Sequence, residues 1–148
     1  MIKDIYEWLE TAGQVPSEKN VDLAISLIEE ELQELKDAWA KGDRVGMLDA
    51  VVDLYWVVTN VPYFAAEPLE ELEKYKEKVS ISNWSKLCHN ETEAINTVKA
   101  YQSGTHPDKI GQKIDCFFEK SPGNMWWIVK RTDGKILKSI NYYSVDKL

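Results

Sequence analysis

What this sequence lacks narrows it first. Its 148 residues include two cysteines, Cys88 and Cys116, in unrelated contexts and with no Cys-x-x-Cys spacing. That excludes a disulfide-stapled secreted scaffold and a cysteine zinc site, and both side chains read as reduced thiols. The two histidines, His89 and His106, have no partners at metal-ligand spacing and read as ordinary loop or surface residues. There is no dense Lys/Arg stripe, so no nucleic acid partner is expected. Long apolar runs are missing as well. The longest, Ala50 to Val58, is broken by Asp53 and soon followed by Pro62, so no segment is expected to cross a bilayer. The stretch Met1 to Gly13 is interrupted by Lys3, Asp4, Glu7 and Glu10, unlike a secretory signal. No internal repeat or low-complexity tract is present. The expectation is a soluble, cytoplasmic protein with no membrane partner.

What is present is enough for one core. Hydrophobic residues make up 44% of the chain and aromatics 11%, and the length favours one compact unit with an appendage over two large domains. The net charge of −7 is unevenly spread: residues 1–79 hold 18 acids and 8 bases, residues 80–148 hold 7 acids and 10 bases. An acidic half suited to divalent cations precedes a mildly basic half suited to phosphates. Charge fluctuates along any chain, so the asymmetry alone decides nothing.

Apolar periodicity predicts a short helix from Ile2 to Thr11, ended by Gly13. Pro16 and Ser17 introduce a long helix through about Lys41, with Ile25, Ile28, Leu32, Leu35 and Trp39 recurring every three or four residues, and Gly42 stops it. A third helix, from about Arg44 to Asn60, is apolar nearly all round and is expected to be buried, with Pro62 marking its end. A fourth, charged helix spans about Pro68 to Val79. Asn90 to Tyr101 reads as a helix capped by Asn90 or Thr92, and Gly104 to Gly111 as loop. Phe117 and Phe118, then Trp126 to Val129, then Ile136 and Leu137 read as short strands separated by Pro122-Gly123-Asn124 and Asp133-Gly134. The expected fold is mainly α, with a small C-terminal hairpin or meander.

At about 100° per residue, Glu30, Glu31 and Glu34 share one face of the second helix, read as lying opposite the apolar one. A Glu-rich face is ordinarily solvated surface. The third helix shifts that balance, because Asp49 and Asp53 lie four residues apart on a helix expected to be buried. Unpaired carboxylates there need compensation by cations, hydrogen bonds or a metal, the alternative being a solvent-exposed stripe. Hard oxygen donors without converging His or Cys point to Mg²⁺, with Mn²⁺ as the alternative. The chemistry that fits is cleavage of a phosphoanhydride.

At these residues the sequence resembles the MazG-like all-α NTP pyrophosphohydrolases, a superfamily that includes dimeric dUTPases and phosphoribosyl-ATP pyrophosphatases. Glu30-Glu31-Leu32-Gln33-Glu34 matches its Glu-Glu-x-x-Glu signature. Its second signature, Glu-x-x-Asp before an apolar run, is matched in part by Asp49-Ala50-Val51-Val52-Asp53. Ala50 stands where the glutamate would be and Asp49 one residue earlier, so Asp53 is the closer match. Ser82-Asn83-Trp84-Ser85-Lys86 and Asp133-Gly134-Lys135-Ile136-Leu137-Lys138-Ser139 resemble the C-terminal segments of phage-type members.

The resemblance implies a MazG-like four-helix catalytic core over residues 1–80 and an α+β extension over 81–148 that completes the nucleotide site. It also implies hydrolysis of a (deoxy)nucleoside triphosphate to a nucleoside monophosphate and pyrophosphate. The expected metal ligands are Glu30, Glu31, Glu34, Asp49 and Asp53, with Glu30 and Asp49 also positioning water as catalytic groups. Asn83, Lys86, Lys135 and Lys138 are the expected substrate contacts, although Asp-Gly-Lys is also a common turn and strand lysines keep an edge soluble. Trp84, Trp126, Trp127, Tyr142 and Tyr143 could stack on a base, but aromatics at strand spacing are more often core. A homodimer or homotetramer is expected, in the host cytoplasm if phage-encoded. Two rivals remain: a narrow dUTP or dCTP pyrophosphatase, and a non-catalytic helical assembly module.

Overall fold

Side-chain caps set where three of the helices begin. A computed structural model describes residues 1–148. Helix α1 spans Ile2–Thr11. Helix α2 spans Glu18–Lys41, its start fixed by Ser17, whose Oγ accepts from the Asn20 amide at 3.1 Å, and its end by Gly42 at φ +67°. That left-handed conformation is open to glycine at little cost. Asp43 then caps helix α3, Arg44–Phe64, by accepting from Gly46 N at 3.0 Å. Helix α4 is Leu69–Trp84 and helix α5 Glu91–Ser103, the latter capped by Asn90 rather than Thr92. Strands β1, Cys116–Lys120, and β2, Trp127–Arg131, pair antiparallel with Phe118 opposite Val129. The fold is mainly helical with one small antiparallel sheet.

Three boundaries differ from the expectation. Helix α3 runs through Pro62 to Phe64. Proline there forfeits one backbone hydrogen bond, but Tyr63 and Phe64 beyond it are buried against Ile5, Tyr6 and Leu9 of α1, and that packing holds the last turn helical. Helix α4 continues five residues past Val79, which places Asn83 in its final turn. The third expected strand is reduced to one bridge between Lys130 and Ile136, and the loop after α5 contains a 3₁₀ turn, Pro107–Lys109.

The chain divides into two compact units, Met1–Lys74 and Tyr75–Leu148, with the division inside α4. The first unit is built on the α2–α3 pair. Its core cluster joins Ile5, Tyr6 and Leu9 to Ala24, Tyr63 and Phe64, and burying side chains of this size stabilises by about 1.5–3 kcal/mol each. The Tyr6 ring meets Tyr63 edge-on at 5.2 Å. The second unit has its own core of Cys88, Ala94, Tyr101, Cys116, Val129 and Leu137. No helix is long and apolar enough to cross a membrane.

The expectation that α3 is buried all round is not met. Ala50 and Val57 are buried, whereas Leu48, Val51, Val52, Tyr55 and Val58 are exposed, each by 38–52%. Helix α2 packs along α3 and α1 against its C-terminal end, and the remaining side of the cylinder is left open. Helix α2 shows the same inversion, with Ile25, Leu32 and Trp39 exposed and Ala24 and Ala38 buried.

Candidate active site

Ala24, Glu31 and Ala38 recur at seven-residue intervals, two turns of helix, so Glu31 lies on the same buried strip of α2 as the two alanines. This corrects the expectation that Glu31 faces away from the packed side. Its side chain is half-buried, and its Oε2 is shielded from solvent without a hydrogen-bond partner. Burial, followed by the charges of Glu34, Asp53, Asp49 and Glu30, pushes the Glu31 carboxyl above the usual glutamate range. All five influences oppose its ionisation, and no cation near it offsets them. The five acids therefore share one electrostatic neighbourhood spanning α2 and α3.

Glu30, Glu34, Asp49 and Asp53 are exposed. The argument that the two aspartates need compensation because they are buried therefore falls, since α3 leaves that side open. In the single chain no three His, Cys, Asp or Glu side chains converge at metal-ligating geometry. The donor chemistry still suits a hard cation, because all five groups are carboxylates and one buried oxygen lacks a partner. Asn60, seven residues after Asp53 on the same side of α3, is 8% exposed and its Oδ1 also has no partner. Nothing in the sequence singled it out beyond that periodicity.

The expected substrate contacts all lie in the second unit. Lys86 Nζ donates to Asn83 Oδ1 at 2.7 Å, which leaves the Asn83 amide group free to donate. Lys86 O accepts from Ser139 N at 3.1 Å, tying the end of α4 to the Gly-Lys-x-Leu-Lys-Ser segment. Ser139 in turn donates from Oγ to Glu93 Oε1, and Glu93 Oε2 accepts from His89 N at 3.1 Å. Glu93 is thus a buried brace. Lys138 is committed elsewhere: its Nζ bonds Asp108 Oδ1 at 2.6 Å and lies 4.5 Å from the centre of the Tyr142 ring. Burial opposes ionisation of Asp108, but the Lys138 ammonium outweighs it and holds the carboxyl below its ordinary value. Lys135 carries no ion pair, and its amide donates to Asp133 Oδ1 at 3.2 Å.

Two sequence readings in this unit need correction. His106 is 2% exposed, not a surface residue; it stacks on Tyr101 at 3.8 Å, and its Nδ1 accepts from Asp108 N at 3.1 Å. Burial lowers its pKa, so it serves as a neutral packing group. Of the aromatics, Trp127 packs against the core, whereas Trp84 is 61% exposed. Arg131 and Lys109, which sequence reasoning did not select, share a cavity wall with Lys86, Lys135 and Lys138. Their signal was only the basic balance of the C-terminal half.

The helical hairpin that carries the five acids is the part of the chain that is similar to a known family, over 58 of its 148 residues. The particular family whose model matches is phosphoribosyl-ATP pyrophosphohydrolase, over residues 9–66. The match contains all five acids and stops short of Asn83, Lys86, Lys135 and Lys138. No curated protein and no solved structure matches the chain.

Proposed function

We propose that the chain hydrolyses (deoxy)nucleoside triphosphates at the α–β phosphoanhydride, releasing a nucleoside monophosphate and pyrophosphate. One observation carries this reading: the buried, unpartnered Glu31 oxygen, on a carboxyl whose ionisation is opposed by burial and by the charges of Glu34, Asp53, Asp49 and Glu30. Such an arrangement is destabilising without a cation. Glu31, Glu34 and Asp53 are the residues that would hold Mg²⁺, or Mn²⁺ in its place, with Glu30 and Asp49 as further ligands or as the groups that orient water. When bound, the ion neutralises phosphate oxygens. Glu30 or Asp49 accepts the proton of the attacking water while its oxygen forms the new P–O bond and the bridging P–O bond breaks. Glutamate side chains are long enough to close on a cation by rotamer changes from their separated positions.

A second copy of the chain is the proposed cover for the exposed stripes of α2 and α3. Those stripes are continuous with the acid-bearing helices, and a two-fold pair would present the same stripe from both partners. Purified protein with Mg²⁺ is expected to release pyrophosphate from at least one of the eight common NTPs and dNTPs. Asp53→Asn is expected to abolish that release, and full activity in this variant sinks the site assignment. The separated acids also suit the non-catalytic module reading; calorimetry decides, because a module shows no saturable Mg²⁺-dependent nucleotide binding.

A further inference from the structure

Two cavities in the second unit adjoin one another. The first, about 300 Å³, is walled by Asn83, Trp84, Leu87 and Ile136. The second, about 250 Å³, is walled by Lys109, Arg131 and Lys135 along with Asp108 and Lys138. Lys86 and Ile136 line both. Together they fall in the size range of small-molecule sites, about 300–1,000 Å³.

The two halves differ sharply in chemistry. The first offers the exposed face of Trp84, an aliphatic floor and the free amide donors of Asn83. The second gathers five cationic side chains around one carboxylate, in a protein whose net charge is −7. That carboxylate, Asp108, is already taken by Lys138, and Arg131 is held by Asp133 with Nη2 to Oδ2 at 2.5 Å. Lys86, Lys109 and Lys135 form no ion pair. Like charges gathered in one concavity repel unless an anion joins them. The turn that carries Arg131 and Lys135 is firm, because Arg131 N donates to Lys135 O at 2.8 Å and Gly134 N to Arg131 O at 2.8 Å.

We propose that these joined cavities bind a free nucleoside polyphosphate without a metal, its base against Trp84 and Asn83 and its phosphates on Lys86, Lys109, Arg131 and Lys135. The proposal rests on the reading above for the class of ligand, but assigns it to a site made wholly by the second unit. Aromatic stacking suits any base face, and Asn83 supplies donors for a base or sugar oxygen. A single exposed aromatic beside a small cationic cavity fits one nucleotide; a nucleic acid strand would need a repeated series of such faces.

The test is calorimetric titration of the full-length protein in excess EDTA with ATP, UTP, inorganic tripolyphosphate and a short single-stranded deoxyoligonucleotide. Saturable binding of ATP or UTP is expected, with tripolyphosphate weaker by roughly tenfold. Lys109→Glu combined with Lys135→Glu replaces two exposed side chains, its folding checked by circular dichroism. It is expected to weaken nucleotide and tripolyphosphate alike by roughly tenfold or more. Trp84→Ala should weaken the nucleotides and leave tripolyphosphate unchanged. No binding by the wild type, undiminished binding by the double variant, or tighter binding of the oligonucleotide overturns the proposal. Equal losses for both probes in Trp84→Ala overturn it too, since stacking would then play no part. Hydrolysis with Mg²⁺ is assayed on the same preparations. Nucleotide binding in EDTA with no hydrolysis defeats the functional reading alone; hydrolysis with no binding in EDTA defeats this proposal alone.

Discussion

Glu31 occupies a position where a helix pair ordinarily places a small or apolar side chain, midway between Ala24 and Ala38. Burial, and then four neighbouring acids, raise its proton affinity, so neutralising it should relieve both the desolvation cost and the repulsion in the metal-free protein. Glu31→Gln is therefore expected to melt roughly 1–3 °C higher than wild type in EDTA at pH 7, while losing at least about a hundredfold in pyrophosphate release. Thermal unfolding followed by circular dichroism checks the first part; a lower melting temperature rules out the repulsion argument. The acid pattern of α2 was legible in the sequence as spacing. Its orientation was not, because a helix bearing both a Leu/Ile/Trp stripe and an Ala/Glu/Ala stripe does not declare which one meets its neighbour. His106 shows the same limit: a lone histidine beside Pro107 reads as loop, and only the Tyr101 ring, brought under it by the fold, makes it core.

Helix starts were the most legible elements, because Ser17, Asp43 and Asn90 announce themselves by side-chain chemistry close to the backbone they cap. Helix ends set by distant contacts were not. Pro62 reads as a stop, yet the α1 core holds two more residues helical; the fourth helix reads as ending at Val79, yet Ser82, buried with its Oγ donating to Tyr142 Oη at 2.9 Å, belongs to the last turns of α4. The third strand failed for a similar reason, because Lys135 to Ser139 spends its hydrogen bonds on Lys86 and Val129 in turn and never forms a regular ladder. One ion pair fastens this segment to the 3₁₀ turn. Asp108 is held below its ordinary value of 3.8, and the hydrogen bond to Asp108 holds Lys138 above its ordinary 10.5. The depressed carboxyl contributes stability that is present above pH 3.8 and lost as pH falls through its folded value. The raised ammonium contributes stability that is present below pH 10.5 and lost as pH rises through its own. Urea midpoints of wild type are accordingly expected to rise more steeply from about pH 2.5 to 6 than those of Asp108→Asn. Parallel curves would mean that the pair contributes nothing.

At the scale of the molecule, the chain leaves much of α2 and α3 uncovered, with Trp39 and Val45 each 74% exposed. Contiguous apolar patches of this kind mark interaction sites more often than bare surface. Light scattering is expected to give at least twice the 17.1 kDa chain mass. Val51→Glu combined with Val52→Glu is expected to reduce it to the monomer and to lower hydrolysis with it; a monomeric wild type with full activity defeats the second-copy proposal. The class of fold was legible from helical periodicity and turn residues. What the third helix buries was not, because a helix that is apolar nearly all round does not declare which of its sides the fold covers. The placement of the two cysteines has a use of its own. Both lie in the second unit, Cys88 at 0% and Cys116 at 5% exposure, and burial lifts both thiols above their ordinary range, while the first unit has none. A thiol-reactive dye added to the native protein is therefore a clock that runs only when the second unit opens, and nucleotide added beforehand should slow it if that unit is where the ligand sits.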